Sequence, residues 1–470
     1  MSAAARTVLT VVNATIIPVA DGVDWFTGWM TVGDDGRITG LGEGDCPEPA
    51  GEIVDAAGLF VAPGFVSAHS HLYTSGLRGM ASDQSLYPWV RANGTVVAGS
   101  ADEDLYWYTL HGCLDFIGNG ITSAYNFTHS RAIWRYDPLA DAIESVDLRP
   151  VGFLERQVDA AADSGIRILN SIRIDGDVQP EGQALEVFAD TLDYVAERTP
   201  AGQDLGASVF GSVQWSSTPR TAELEAQLMH EHGIGNQAHF VETAEHIEQQ
   251  RAKFDWYDDA GALGPGFLFG HFVHPTDHMV TRAAETGCGM VWQPTSNGRL
   301  GSGIADIPRF TGLGMPVGVG LDDQSCTDSS DPFQNMRMGM YLLRASRSDA
   351  SVITAREMLR LHTLGSAEAL GVAERIGSLE VGKFADFVIV DPQRPDTGPV
   401  WNVLATYVLA CGLRNLHEVY IGGRLVSRDG VSTTHDSGEV RSELHERIAR
   451  AAGVSGMPLA PVMVRDVRSV

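Results

Sequence analysis

The sequence predicts an α/β protein: a (β/α)8 TIM barrel with a small β-sandwich domain formed from both chain ends. Three observations carry this prediction. Between residues 62 and 372, eight short apolar runs alternate with longer helical patterns, the signature of a parallel barrel. Both chain ends read instead as short strands separated by turns. No Gly-x-Gly-x-x-Gly or phosphate-loop pattern follows the first run. That disfavours the doubly wound nucleotide-binding sheet, the other source of such alternation.

In chain order, segments 8–19, 29–42 and 52–64 read as strands, with Asp34-Asp35-Gly36 as a hairpin turn. The eight apolar runs occupy residues 65–72, 121–129, 167–174, 207–215, 235–243, 266–274, 289–296 and 316–323. Helical patterns include 103–118, 184–199, 221–233, 277–287 and 355–371. Strand character returns at 376–391 and 417–430. Residues 1–61 and 373–437 are therefore expected to form one composite β-domain beside a barrel spanning 62–372. Residues 438–470 supply a short amphipathic helix, over 438–452, and a proline-containing tail.

With 470 residues, 44% apolar and 20% charged, the chain is long enough for a large buried core. Its net charge of −27 excludes nucleic acid and anionic membranes as partners. Five cysteines lie far apart with no Cys-x-x-Cys, which suits a reducing cytoplasm. The N-terminus carries only short apolar pieces and reads as strands rather than a signal peptide. No apolar run is long enough for a membrane span.

The chemistry concentrates at the ends of the runs, where barrel active sites form. The first run ends in His69-Ser70-His71; residues two apart on a strand share a face, so both imidazoles project together. The fifth run offers His239 and Glu242, the sixth His271 and His274, the eighth Asp322 and Asp323. His69, His71, His239 and Asp322 make a three-histidine, one-carboxylate set suited to one divalent ion. Zn²⁺ is the first choice, with Co²⁺, Fe²⁺ or Mn²⁺ as substitutes. Such an ion lowers the pKa of a water to about 7. Glu242 is placed to take that water's proton and hand it to a leaving group.

These motifs resemble the amidohydrolase superfamily, in the branch containing cytosine, guanine and S-adenosylhomocysteine deaminases and the triazine hydrolases. The resemblance runs through PGFVSAHSHL (63–72), HFVE (239–242), Gly270-His271, PTSN (294–297) and GLDD (320–323). It continues through 376–391 and 422–430, which are similar to the family's returning β-sandwich. It implies a mononuclear site with His69, His71, His239 and Asp322 as ligands and Glu242 as proton shuttle. His271 would polarise the substrate or hold the hydroxide. It also implies a homo-oligomer. Members with two metals bridge them with a lysine or carboxylate on the fourth strand. This chain has two lysines, Lys253 and Lys383, neither on that strand, and the run 207–215 has no acidic residue.

His274 and Asp323 are expected to support the site rather than bind the ion. Asn297 is expected to fix the loop after the seventh strand, with substrate contact as the alternative. Many relatives carry Pro-His at the end of the fourth strand and His-Asn before the seventh-strand proline. Here Gln214-Trp215 and Trp292-Gln293 stand instead, so Gln214, Trp215 and Trp292 are candidate substrate contacts, with Trp89 a candidate for the same wall. The resulting expectation is a metal-dependent hydrolase attacking an sp2 carbon of a small, largely apolar nitrogen compound. Amides, ureas, carbamates or thiocarbamates and substituted N-heterocycles qualify. The alternative is an aminohydrolase of a purine, pterin or pyrimidine. A non-catalytic scaffold on the same fold ranks third, because the ligand set and Glu242 are retained.

Overall fold

The apolar runs form the wall of a parallel barrel in the computed structural model, which describes residues 6–137 and 142–455. The chain begins with β1 (Thr7–Ile16), β2 (Phe26–Gly33), β3 (Ile38–Glu43), β4 (Glu52–Asp55) and β5 (Phe60–Pro63). The turn at residues 34–37 joins β2 to β3, with Gly36 at φ 76° where a side chain would strain. The barrel follows as β6 (Phe65–His71) and β7 (Ile121–Phe127), an inserted antiparallel hairpin of β8 (Ala132–Asp137) and β9 (Ala142–Leu148), then β10 (Arg167–Ile172), β11 (Asp204–Gly211), β12 (Gly235–Phe240), β13 (Phe267–His271), β14 (Gly289–Trp292), β15 (Val317–Val319) and β16 (Asp322–Asp323).

Closure depends on the last run. Val317–Val319 pairs with β14, and three residues later Asp322 and Asp323 pair with Ser70 and His71 of β6. One stretch of chain thus joins the last strand to the first, completing the (β/α)8 barrel. Ala68, Leu268, Val291 and Ala369 fill its interior. Outward residues pack under the helices, which carry ordinary start and stop signals. The helix Pro332–Arg347 begins with Asp331 accepting from the Gln334 amide at 3.0 Å and with Pro332 at its first position.

Strands β17 (Phe387–Val390), β18 (Leu416–Ile421), β19 (Arg424–Arg428) and β20 (Val431–Ser432) return to the opening strands. β17 pairs antiparallel with β5, giving one nine-stranded sheet built from both chain ends. Its core, including Val11, Met30, Val61, Phe387 and Tyr420, is separate from the barrel's.

Two local features differ from the sequence reading. The expected helix over 355–371 is two, Ala355–Leu361 and Leu364–Ala369. The break at His362 lets its carbonyl accept from Val66 of β6, while its ring meets the Val66 carbonyl and Asn335. The hairpin β8–β9 went unread because its strands mix charged and apolar residues without clean alternation. The C-terminal helix spans Ser437–Val454, buries Leu444 and Ile448 against Leu77, Val96 and Tyr108, and is pinned by Arg447 on Asp104 at 2.9 Å. The expected tail lies outside the described residues. Among the described residues no helix is long and apolar enough to cross a membrane.

The sheet is bolted to the barrel floor by a buried ion pair. Arg167, at the start of β10, donates to Asp386 at 2.8 Å and lies 3.6 Å over the Phe384 ring. Arg167→Met would leave Asp386 buried with only the Gly422 amide as partner. Removing one member of a buried pair costs about 3–5 kcal/mol. We expect that loss in urea denaturation, with kcat per folded molecule unchanged.

Candidate metal centre

The C-terminal strand ends bring six predicted side chains to one buried point. His69 and His71 come from β6, His239 from β12, Glu242 from the turn after it, His271 from the end of β13 and Asp322 from β16. All six are buried. His71 Nε2 lies 3.0 Å from His239 Nε2. Asp322 Oδ1 lies 3.4 Å from His69 Nε2 and 3.8 Å from His71 Nε2. His271 Nε2 faces Glu242 Oε2 at 3.4 Å and Asp322 Oδ2 at 3.9 Å.

The backbone pays local strain to aim these groups. Val241, His271 and Asp322 sit at φ 46°, 66° and 65°, a left-handed region that costs a non-glycine residue about 1–3 kcal/mol. Val241 and His271 lie where β12 and β13 end and Asp322 where β16 begins, so the chain turns there and His271 and Asp322 reach the same centre. Gly320 permits the crowding: a Cβ there would sit 2.6 Å from the Cβ of His69.

Burial sets the charge states. It holds His71 and His271 down to about 3 and His239 well below its ordinary value, which keeps the imidazoles neutral with lone pairs available. Burial and then the Asp322 charge push Glu242 well up. Burial would raise Asp322 too, but the His69 ring facing it at 3.4 Å and the neighbouring imidazoles hold its carboxyl well below the carboxylate range.

This donor set fits a divalent ion. His69, His71 and Asp322 offer atoms within 4.8 Å of one another, as do His69, His239 and His271. Ligand bonds of about 2.1 Å imply neighbouring donor atoms about 3.0 to 3.4 Å apart, near the shorter separations here. His69 Nε2, His239 Nδ1, His271 Nε2 and Glu242 Oε1 are buried without hydrogen-bond partners. No other such cluster occurs among the described residues. Lys253 is committed elsewhere, its ammonium donating to the Gln214 and Ser216 carbonyls at 2.6 Å each.

Supporting residues surround this point. Gln237, two residues before His239 on the same face of β12, accepts from His69 Nδ1 and donates to the Ala68 carbonyl at 3.0 Å. It escaped the sequence reading, although strand parity alone places it beside His239. Ser296 donates to Asp322 Oδ2 at 2.5 Å. Asn297 reaches His271 Nδ1 at 2.9 Å rather than a substrate position. His274 bonds the Ser302 carbonyl at 2.6 Å.

The expected substrate wall needs correction at two tryptophans. Trp292 is 1% exposed and shares the outward parity of Met290; it packs in the outer core, against Gly339 of the helix Pro332–Arg347. Trp89 is buried too, and its indole donates to the Ser325 carbonyl at 3.2 Å, bracing the loop after β16. Trp215 is 46% exposed, with its ring 5.4 Å from that of His239. Phe127 and Phe210 extend this aromatic surface beside His71 and His239. Gln214 is 5% exposed with both amide atoms unpartnered.

The amidohydrolase family model matches residues 60–426, from β5 to β19. The chain belongs to the amidohydrolase family. It is a hydrolytic enzyme of that family, acting on carbon–nitrogen bonds. Among curated relatives, 5-methylthioadenosine/S-adenosylhomocysteine deaminase of Desulforamulus reducens is 27% identical over 433 residues, covering 91% of this chain and 93% of that one. The enzyme of the same name from Desulforudis audaxviator is 29% identical over 452 residues, covering 94% and 98%. A zinc-bound adenosine deaminase from Xanthomonas campestris shares the fold with TM-score 0.80 at 21% identity, covering 95% and 99%. Atrazine chlorohydrolase from Arthrobacter aurescens, complexed with zinc, does so with TM-score 0.81 at 18% identity, covering 94% and 100%.

The two tryptophans, one in the turn after β11 and one at the end of β14, separate cleanly by experiment. Trp292→Ala opens a core cavity, costing about 3–5 kcal/mol of stability, with KM unchanged in the folded fraction. Trp215→Ala changes stability by less than about 1 kcal/mol and alters KM. Denaturation curves and steady-state kinetics on both variants check this amidohydrolase's wall assignment.

Proposed function

We propose that His69, His71, His239 and Asp322 hold one divalent ion, zinc first, and that the enzyme hydrolyses an sp2 carbon bearing a nitrogen leaving group. The observation that carries this reading is the placement of Glu242. Its carboxyl is buried at the edge of the imidazole cluster, one oxygen facing His271 and the other unpartnered. When bound, the ion supplies Lewis-acid polarisation and makes a water acidic near neutral pH. Glu242 takes a proton from the attacking water and delivers it to the departing nitrogen; its raised affinity for a proton suits both halves of that transfer. His271 hydrogen-bonds the oxygen that gains charge at the attacked carbon.

The substrate in this reading is a small nitrogen compound with a largely apolar body. Trp215 and Phe210 present aromatic faces beside His239, backed by the buried Phe127, and each buried CH₂ of a ligand contributes about 0.8 kcal/mol there. Apolar ureas, carbamates and substituted heterocycles meet this description. A second reading, aminohydrolysis of a purine-like ring, is favoured by Gln214. Its buried, unpartnered amide offers one donor and one acceptor edge, and leaving such groups unpaired costs about 1–3 kcal/mol. The names of the curated relatives support this second reading. A cytoplasmic homo-oligomer accords with the five free cysteines and with the family resemblance.

Direct competition on purified enzyme decides between the readings. Apolar ureas, carbamates and N-substituted heterocycles should exceed adenosine, guanine and cytosine in kcat/KM; a natural purine turned over best would transfer the assignment to aminohydrolysis. Elemental analysis should find close to one equivalent of divalent metal, and two equivalents or none would defeat the ligand assignment. Glu242→Gln should lower kcat by about 10²-fold or more with metal retained. Near-normal turnover would remove Glu242 from the proton path.

A further inference from the structure

The two oxygens of the Asp322 carboxylate stand in unlike surroundings. Oδ1 faces the paired histidines of β6, 3.4 Å from His69 Nε2 and 3.8 Å from His71 Nε2. Oδ2 instead accepts from the Ser296 hydroxyl at 2.5 Å, a short charge-assisted bond. A carboxylate oxygen only accepts, so the single hydroxyl proton points at Asp322. The Cys326 thiol, buried 3.1 Å from the same hydroxyl oxygen, then donates to it. Both sides of the hydroxyl are therefore committed, and Oδ2 is held from outside the histidine cluster.

We propose that Ser296 is a positioning residue that engages Asp322 Oδ2 and so makes Asp322 a one-oxygen ligand of the ion. Carboxylates bind divalent ions through one oxygen or through both. With Oδ2 taken, Oδ1 alone is presented, and a coordination position stays open for water and substrate. The hydroxyl is mounted for this by Asn335, buried on the helix Pro332–Arg347. Asn335 Oδ1 accepts from the amide and the hydroxyl of Thr295, the residue before Ser296, at 3.2 and 2.8 Å. Its Nδ2 donates at 3.1 Å to the carbonyl of Gly320, two residues before Asp322. A backbone N–H only donates and a carbonyl only accepts, so the main chain fixes which way this amide points. One side chain thus sets the turn that carries Ser296 against the stretch that carries Asp322.

The inference rests on the hydrolase reading and its ligand assignment, and the two fail differently. Native enzyme that binds no zinc at the cluster defeats that assignment and this inference with it. Zinc bound there through both Asp322 oxygens defeats this inference alone. A crystal structure of the zinc-loaded native enzyme is expected to show Oδ1 on the ion at about 2.0 to 2.2 Å, with Oδ2 still on Ser296. That structure decides even where a variant does not fold. Ser296→Ala frees Oδ2. Its zinc affinity in chelator competition should fall by about 10- to 100-fold. The visible bands of its cobalt-loaded form should weaken as Asp322 binds through both oxygens and the coordination number rises. A hydroxyl that merely packs would leave those bands as they are in the native enzyme. Unchanged cobalt bands in folded Ser296→Ala overturn the proposal, whatever happens to the affinity.

Discussion

The pairing of Asp322 with Ser70 closes the barrel and builds the site in one act. Register in a parallel sheet is set residue by residue, and a slip of one would turn every side chain to the other face. Here the register that joins the last strand to the first also sets the Asp322 carboxylate beside His69, His71 and His271. Fold and chemistry therefore share a single constraint. The glycines Gly270 and Gly320 serve the same closure, since the space a Cβ would fill there is taken by His69.

What that closure gathers is an unfavourable crowd by ordinary standards. Neutral imidazoles, carboxylates of opposed proton affinity and left-handed strand ends are all held away from water. Such concentrations occur where surrounding structure over-determines them, and function is the usual reason. The strength comes from far outside the site. The interior layer at the barrel floor, the Arg167–Asp386 pair and the separate core of the second sheet supply the stability that the top of the barrel spends.

Much of this was legible in the sequence because strand-end chemistry is local. His69-Ser70-His71, His239 with Glu242, and Asp322 each follow an apolar run, and the alternation of runs with helices supplied the fold that assembles them. Facing was harder. Trp292 looked like pocket wall because it stands near the end of a run, yet its parity with Met290 sends it outward into the core. The same counting would have found Gln237 through His239. Partners distant in sequence left no such trace: nothing near His271 announces Asn297, and nothing in residues 355–371 announces that His362 must break the helix to meet Val66.

The second sheet has a consequence for how the protein is made. β5 is covered on one side by β1, but its other edge waits for β17, with Phe60 pairing to Val390. At translation rates of about 5 to 20 residues per second, that edge stays open for roughly 20 to 60 seconds while the entire barrel is synthesised. An unpaired apolar strand is a template for wrong partners. Pro63, which lacks an amide hydrogen, blunts one end of it. The opening strands are thus a part of this chain that a chaperone would shield during its birth, although they carry none of its chemistry.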